Sequence, residues 1–216
     1  PTMGENNLNQ FTLQVKVKPE VFLNKGAMWV NELWAPGKLH FEFRGNKLCF
    51  FIYGTDYVYF NYDFKEETEY DILLSYDADK KHIWLYINGD LIEEKSLGSA
   101  APLSIDGKSY IGGYLSEDRF FIGQMDIFRV WTKNLNPSQV ENNDWGKADV
   151  LISYNFEKSK DFTIKDETGR HNGVLIEKEK TMPEMMRFGM NMELPQQYSK
   201  ISWYGRGPNE NYWDRK

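Results

Sequence analysis

From residue 11 to residue 176 the chain is divided into short segments in which apolar and polar side chains alternate, each bounded by turn-forming residues. A repeat of two is the mark of a half-buried strand. Leu13, Val15 and Val17 alternate with Thr12, Gln14 and Lys16, and Leu39, Phe41 and Phe43 with His40, Glu42 and Arg44, before Gly45-Asn46 turns the chain. Residues 47–53 and 57–62 form a pair around Gly54-Thr55-Asp56, and residues 70–76 and 82–87 another around Asp77-Ala78-Asp79-Lys80. Asn88-Gly89 is a two-residue hairpin turn, since a type I′ turn needs positive φ at both positions. Leu91-Ile92 resumes a strand, and Asp106-Gly107 turns into Ser109-Tyr110-Ile111. Residues 120–131 read as a strand pair, or as one long strand with a glycine irregularity.

One helix interrupts the pattern. Asn136 caps it, Pro137 suits its first position and Gln139 completes a capping box, while Asn142-Asn143-Asp144 ends it after a turn or two. Strands near 150–156, 162–164 and 173–176 complete the set. Without heptads, low-complexity tracts or βαβ alternation, this order predicts an all-β, two-sheet antiparallel sandwich.

Aromatic residues make up 16% of the chain, which favours pleated surfaces and also suits a sugar binder, because pyranose rings lie against aromatic faces. A net charge of −6 repels nucleic acid and anionic membrane surfaces, so neither is an expected partner. The single cysteine, Cys49, forms no internal disulfide and has no companion for a cysteine metal site. No run of 18 apolar residues occurs and residues 1–10 are polar, so neither a membrane span nor a signal peptide is expected within this stretch.

Two parts of the chain resemble known families. Met185-Met186-Arg187-Phe188-Gly189-Met190-Asn191-Met192-Glu193-Leu194-Pro195 and Trp203-Tyr204-Gly205-Arg206-Gly207-Pro208-Asn209-Glu210-Asn211-Tyr212-Trp213-Asp214-Arg215-Lys216 resemble, in order and spacing, the C-terminal accessory domain of family 2 β-galactosidases. A chain so dense in aromatic, turn-forming and charged residues up to its last position reads as cut in mid-domain, a piece of a larger sugar-cleaving enzyme. A periplasmic or secreted bacterial parent is the corresponding expectation.

The second resemblance covers about residues 8–176. Tyr70-Asp71-Ile72-Leu73-Leu74-Ser75-Tyr76-Asp77 followed by Ile83-Trp84-Leu85-Tyr86-Ile87-Asn88-Gly89 resembles the central hairpin of laminin G-like, concanavalin A-like domains. Residues 123–131 with Leu135 and Pro137-Ser138-Gln139-Val140 resemble their closing strand and helix, and Asp166-Glu167-Thr168-Gly169-Arg170-His171-Asn172-Gly173 their final loop. The implied fold is a jelly roll. The expected organisation is a sandwich over 1–176, a charged linker over 177–183, and a partial β-galactosidase accessory domain over 184–216. The last piece is too short for its own core and is expected to pack on the sandwich or to self-associate through open strand edges.

No catalytic residue is expected here. Family 2 enzymes use two glutamates about 5 Å apart in retaining catalysis, and the resemblance implies that both sit on a barrel absent from this chain. Glu66-Glu67 and Glu93-Glu94 are neighbours that point to opposite faces of a strand. Gly205-Arg206-Gly207-Pro208 lacks the helix and the amide donors of a phosphate loop. The resemblance leaves calcium as the one cation to consider, at Asp77 with Asp79, at Asp106 or at Asp166, although aspartates in turns ordinarily bond their own backbone. His40, His82 and His171 are scattered and read as structural or exposed.

Binding is the better prospect. In strands 47–53 and 57–62, Leu48, Phe50, Ile52, Val58 and Phe60 share one face, and Cys49, Phe51, Tyr53, Tyr57 and Tyr59 the other. Trp84 and Tyr86 stand opposite Ile83, Leu85 and Ile87. A sheet with one face on a core is expected to be polar on the other, yet these strands are aromatic on both. The expectation is a carbohydrate-stacking surface of Tyr53, Tyr57, Tyr59, Trp84 and Tyr86 with Trp34 at its rim, for glycans or galactosides. The alternative is a structural insert whose aromatic face packs on the other sheet or on the remaining domains of the parent enzyme.

Overall fold

The computed structural model describes residues 2–3, 7–114, 119–142, 146–156, 159–160 and 163–176. The chain divides into two compact units, Pro1–Glu177 and Lys178–Lys216. The linker and the β-galactosidase-like segments read from the sequence lie outside the described residues, which all belong to the first unit.

Strands are numbered in chain order. One sheet contains β1 (Thr2–Met3), β3 (Gly26–Asn31), β4 (Leu39–Arg44), β5 (Lys47–Ile52), β6 (Val58–Tyr59) and β10 (Gly107–Ile111), in the order β1-β10-β3-β4-β5-β6. We call it the front sheet. The back sheet contains β2 (Gln10–Val21), β7 (Tyr70–Asp77), β8 (His82–Ile87), β9 (Asp90–Ser96), β13 (Ile122–Trp131) and β14 (Val150–Tyr154), ordered β14-β13-β2-β7-β8-β9. Short strands β11 (Gly113–Tyr114) and β12 (Arg119–Phe120) pair beside the front sheet, and β15 (Ser159–Lys160), β16 (Thr163–Ile164) and β17 (Gly173–Val174) form a three-stranded ribbon. Every pairing is antiparallel, and the β1–β10, β10–β3, β13–β2 and β2–β7 pairs join strands distant in sequence, the crossing pattern of a jelly roll.

Alternation places the core between the sheets. Leu39, Phe41 and Phe43 of β4 and Leu48, Phe50 and Ile52 of β5 face Leu13 and Val15 of β2, Ile72 and Leu74 of β7, and Ile83 and Leu85 of β8, all buried. Aromatic pairs join the layers: Trp29 meets Phe128 edge-on at 5.5 Å, and Phe50 meets Tyr76 at 5.6 Å. Strand β3 has no alternation in its sequence because all six of its residues are buried, so both of its faces are covered.

Three local signals take the form their chemistry requires. Asn88 and Gly89 have φ of 53° and 88°, as a type I′ hairpin needs. Asn136 accepts from the Gln139 amide while the Gln139 side chain accepts from the Asn136 amide, opening helix α1 (Pro137–Glu141). The glycine irregularity in β13 is real: at Gly123 the register against β2 shifts.

Val140 of helix α1 and the residues before the helix cover part of the outward side of the back sheet. Leu135 packs with Leu73, Trp131 and Val150, and its amide donates to the hydroxyls of Thr12 and Ser75 at 2.8 and 3.1 Å. Thr12 in turn donates to the Lys133 carbonyl at 2.7 Å. No helix among the described residues is long and apolar enough to cross a membrane.

Candidate aromatic binding face

Among the described residues no helix packs on the outward side of the front sheet, and its side chains organise themselves into a belt of rings. Val30, His40 and Phe51 stand opposite one another across β3, β4 and β5, and Glu42, Cys49 and Tyr59 form the next row across β4, β5 and β6. Trp34 enters from the loop between β3 and β4. That loop turns at Gly37, where φ is +79° and a Cβ would meet the Pro102 carbonyl oxygen and the Ser104 Cβ at 3.0 Å each, so only glycine fits.

Trp34 stacks on Phe51 at 5.0 Å and meets His40 and Tyr53 edge-on at 4.6 and 5.2 Å. Phe51 is therefore held face to face between Trp34 and Tyr57, and Tyr57 leads to Tyr59 at 6.4 Å. In the other direction His40 leads to Tyr114 at 6.1 Å and Tyr114 to Tyr110 at 5.7 Å. The Tyr110 and Tyr114 hydroxyls both donate to Glu32, one to its side chain and one to its carbonyl. Phe51 and His40 are buried, whereas Trp34 is 50% exposed and Tyr57 and Tyr59 are 45% exposed each. The belt thus has buried central rings and half-open outer ones.

Charge lies beneath the rings. Glu42 is fully buried between Arg44 and Arg119. Burial works against the charge on Arg44, but its bond to Glu42, reinforced by Cys49 and Tyr57, holds its pKa above the ordinary value. Burial pushes the Cys49 thiol up to about 11, with Arg44 opposing and Glu42 assisting. Such a thiol is protonated at neutral pH and is a poor nucleophile.

Of the six aromatic residues expected to share a surface, the fold brings together Trp34, Tyr53, Tyr57 and Tyr59. Trp84 and Tyr86 are elsewhere. They lie on β8, which pairs with β7 and β9 in the back sheet, so their outward side faces away from the front belt. Trp84 donates to Glu94 at 3.0 Å and lies 4.5 Å from the His82 ring, while Tyr86 packs on the cluster around Leu73 and Trp131. Alternation within one strand fixes which residues share a face, but not which sheet the strand joins. The sequence reading did not single out His40, Glu42, Arg44, Tyr110, Tyr114 and Arg119. The available signal was the polar row of His40, Glu42 and Arg44, which must face the same way as the aromatic row of Cys49 and Phe51.

The acidic pairs are engaged separately. Glu66 accepts from the Phe22 amide, Glu67 pairs with Lys18, Glu93 accepts from the Asn61 amide and Glu94 from Trp84. The aspartates considered for calcium do not fit it. Asp77 bonds Gln10 and Lys80, Asp79 accepts from Asn9, Asp106 pairs with Lys38 and Ser104, and Asp166 accepts from the Ser153, Thr168 and His171 amides. Calcium needs about six to eight oxygens in one place. Among the described residues no group of three or more His, Cys, Asp or Glu could hold a metal.

Comparison with known proteins bears on both parts of the chain. The family described as concanavalin A-like lectin/glucanases superfamily matches residues 2–141, and that described as beta galactosidase small chain matches residues 96–216. A β-galactosidase from Priestia megaterium is 53% identical over 36 residues, which is 17% of this chain and 4% of the enzyme. The chain therefore spans a small fraction of the length of that relative. Among solved structures, a candidate carbohydrate binding protein from Bacteroides ovatus superposes with a TM-score of 0.66 at 21% identity, over 81% of this chain and 54% of that one. A heptameric SAP-like pentraxin from Limulus polyphemus gives 0.54 at 15% identity, over 81% and 93% of the two chains. The CBM40 of the Ruminococcus gnavus IT-sialidase, bound to α2,3-sialyllactose, gives 0.53 at 14% identity, over 63% and 83%. At these identities the likeness is one of fold.

Proposed function

Since this chain belongs to the concanavalin A-like lectin/glucanases superfamily and to the beta galactosidase small chain family, we propose that it is an accessory carbohydrate-binding module of a family 2 β-galactosidase. The parent hydrolyses terminal β-galactosides with residues outside this chain. The module, over 1–176, keeps the enzyme close to glycans, and 177–183 links it to part of the accessory β-domain over 184–216.

The observation that carries this reading is the front belt. Trp34, Tyr57 and Tyr59 are half-exposed on a sheet face where an antiparallel sandwich ordinarily carries polar side chains. Tyrosine and tryptophan pair a flat apolar surface with a hydrogen-bonding tip, which matches a sugar's apolar face and its hydroxyls. Trp84 and Tyr86 belong to the opposite side of the molecule and are not part of the proposed surface.

The test is isothermal titration of the full chain with lactose and galactose-terminated N-acetyllactosamine oligomers, with tryptophan fluorescence followed in parallel. Saturable heat with a fluorescence change is expected. Flat titrations with every sugar would replace the reading with one in which the belt seats another domain of the parent or a second copy, which the solution mass would register.

A further inference from the structure

The charges beneath the belt are the feature that stability explains least. The two oxygens of the buried Glu42 are divided between two arginines: Oε1 accepts from Arg44 Nε at 2.8 Å, and Oε2 from Arg119 Nη1 at 3.3 Å. Each arginine then reaches rings. Arg44 Nη1 donates to the Tyr59 hydroxyl at 2.7 Å, and its guanidinium carbon lies 4.7 Å from the Tyr57 ring centre and 5.7 Å from that of Tyr59. Arg119 Nη1 is 3.1 Å from His40 Nδ1, and its guanidinium carbon is 6.0 Å from the Tyr114 ring centre. One carboxylate on β4 thus holds both halves of the belt.

Burying an ion pair strips its hydration, and exchanging such a group for apolar side chains of similar volume is often neutral or stabilising. Stability alone is therefore a poor reason for three charges under a sheet face that an aliphatic row could fill. What the group supplies is direction. The guanidinium is planar, with donors in a fixed fork, so an arginine anchored to Glu42 by one edge presents the other edge and its flat face at set angles.

We propose that Glu42, acting through Arg44 and Arg119, is a positioning residue that orders the rings of the front belt before a glycan arrives. This rests on the carbohydrate-binding reading above and concerns the same face. A side chain that must be ordered at the moment of binding weakens affinity by up to about tenfold, and a preset ring avoids that loss.

The experiment is a double-variant cycle on the full chain, with lactose and N-acetyllactosamine oligomers as probes, calorimetry for affinity and near-UV circular dichroism for ring order. Arg44→Lys keeps a positive charge beside Glu42, but an ammonium lacks the fork that joins the carboxylate to the Tyr59 hydroxyl. It is expected to weaken binding about tenfold and to reduce the tyrosine near-UV signal, with the melting temperature lowered by only a few degrees. Tyr59→Phe alone is expected to weaken binding, and adding it to Arg44→Lys to cause less loss than it does alone, because the contact between Arg44 and the Tyr59 hydroxyl is already gone. Glu42→Gln, which takes the shared anion from both arginines, is expected to weaken binding at least as much.

Wild-type affinity and near-UV signal in Arg44→Lys, or losses that simply add in the double variant, would overturn the positioning role and leave the carbohydrate reading intact. Absence of binding by the wild-type chain would overturn the carbohydrate reading and the positioning role that rests on it.

Discussion

Phe51 and Tyr57 lie face to face on the front sheet, ring centres 4.2 Å apart and planes 17° from parallel. Phe51 is 6% exposed and Tyr57 45%, so two rings in contact have different work: one fills, the other is presented. Phe51→Ala is expected to destabilise the fold by about 3 kcal/mol, the usual cost of emptying a buried phenylalanine site. Tyr57→Ala is expected to cost under half of that and to weaken glycan binding instead. Urea unfolding and calorimetry on the two variants separate the effects.

Trp34 is the most exposed ring of the belt and is held by stacking on Phe51. Trp34→Ala is expected to reduce affinity for galactose-terminated oligosaccharides about tenfold, in line with a loss of roughly 1.4 kcal/mol. The urea midpoint is expected to move little, since a half-exposed loop residue contributes modestly to the core. An unchanged affinity would remove Trp34 from the surface.

A Cβ at position 123 would come within 2.3 Å of the Lys18 carbonyl oxygen and 2.9 Å of the Pro19 Cα. These are backbone atoms of the neighbouring strand and cannot swing aside. Gly123→Ala is expected to cost about 3 kcal/mol, at the upper end of ordinary overpacking. A thermal melt within a degree of the wild-type value would show that β2 and β13 part more easily than their pairing suggests.

Cys49 is 1% exposed and burial pushes its thiol up to about 11. In native buffer at pH 8 a thiol reagent is expected to label it only when the sandwich opens, so labelling should accelerate with urea along the unfolding curve. Rapid labelling without denaturant would mean that the front sheet opens locally.

Burial opposes ionisation of Asp166, but bonds from Thr168, Ser153 and His171 outweigh it and hold its pKa below the ordinary 3.8. A depressed carboxylate pKa contributes stability that is fully present above the unfolded value and is lost as pH falls through the folded one. Asp166→Asn should therefore be less stable than wild type at pH 7, and the gap between the two unfolding curves should narrow as pH falls below the ordinary 3.8. A constant gap down to pH 2 would show that the contribution is not ionic.

Much of the sandwich was legible in the sequence because its strongest signals are local. Asn88-Gly89, the Asn136–Gln139 box and the alternation from Leu39 to Phe43 each depend on a few adjacent residues. Strand β3 was not legible, since a strand buried on both faces shows no alternation to read. The grouping of Trp84 and Tyr86 with Tyr57 and Tyr59 failed for a long-range reason: β8 joins the back sheet through β7, which pairs with β2 some sixty positions earlier. Only half of the charged group around Glu42 could have been read, because Arg119 reaches it from 77 positions away.

Among the described residues, the segment from Thr132 to α1 packs on one exterior of the sandwich and the ring belt stands on the other. A fluorophore or tether attached through Lys133, whose carbonyl already answers to Thr12, would sit behind the molecule with the ring belt directed at whatever surface is offered to it. In that orientation the tether itself leaves the ring belt unobstructed on a glycan array.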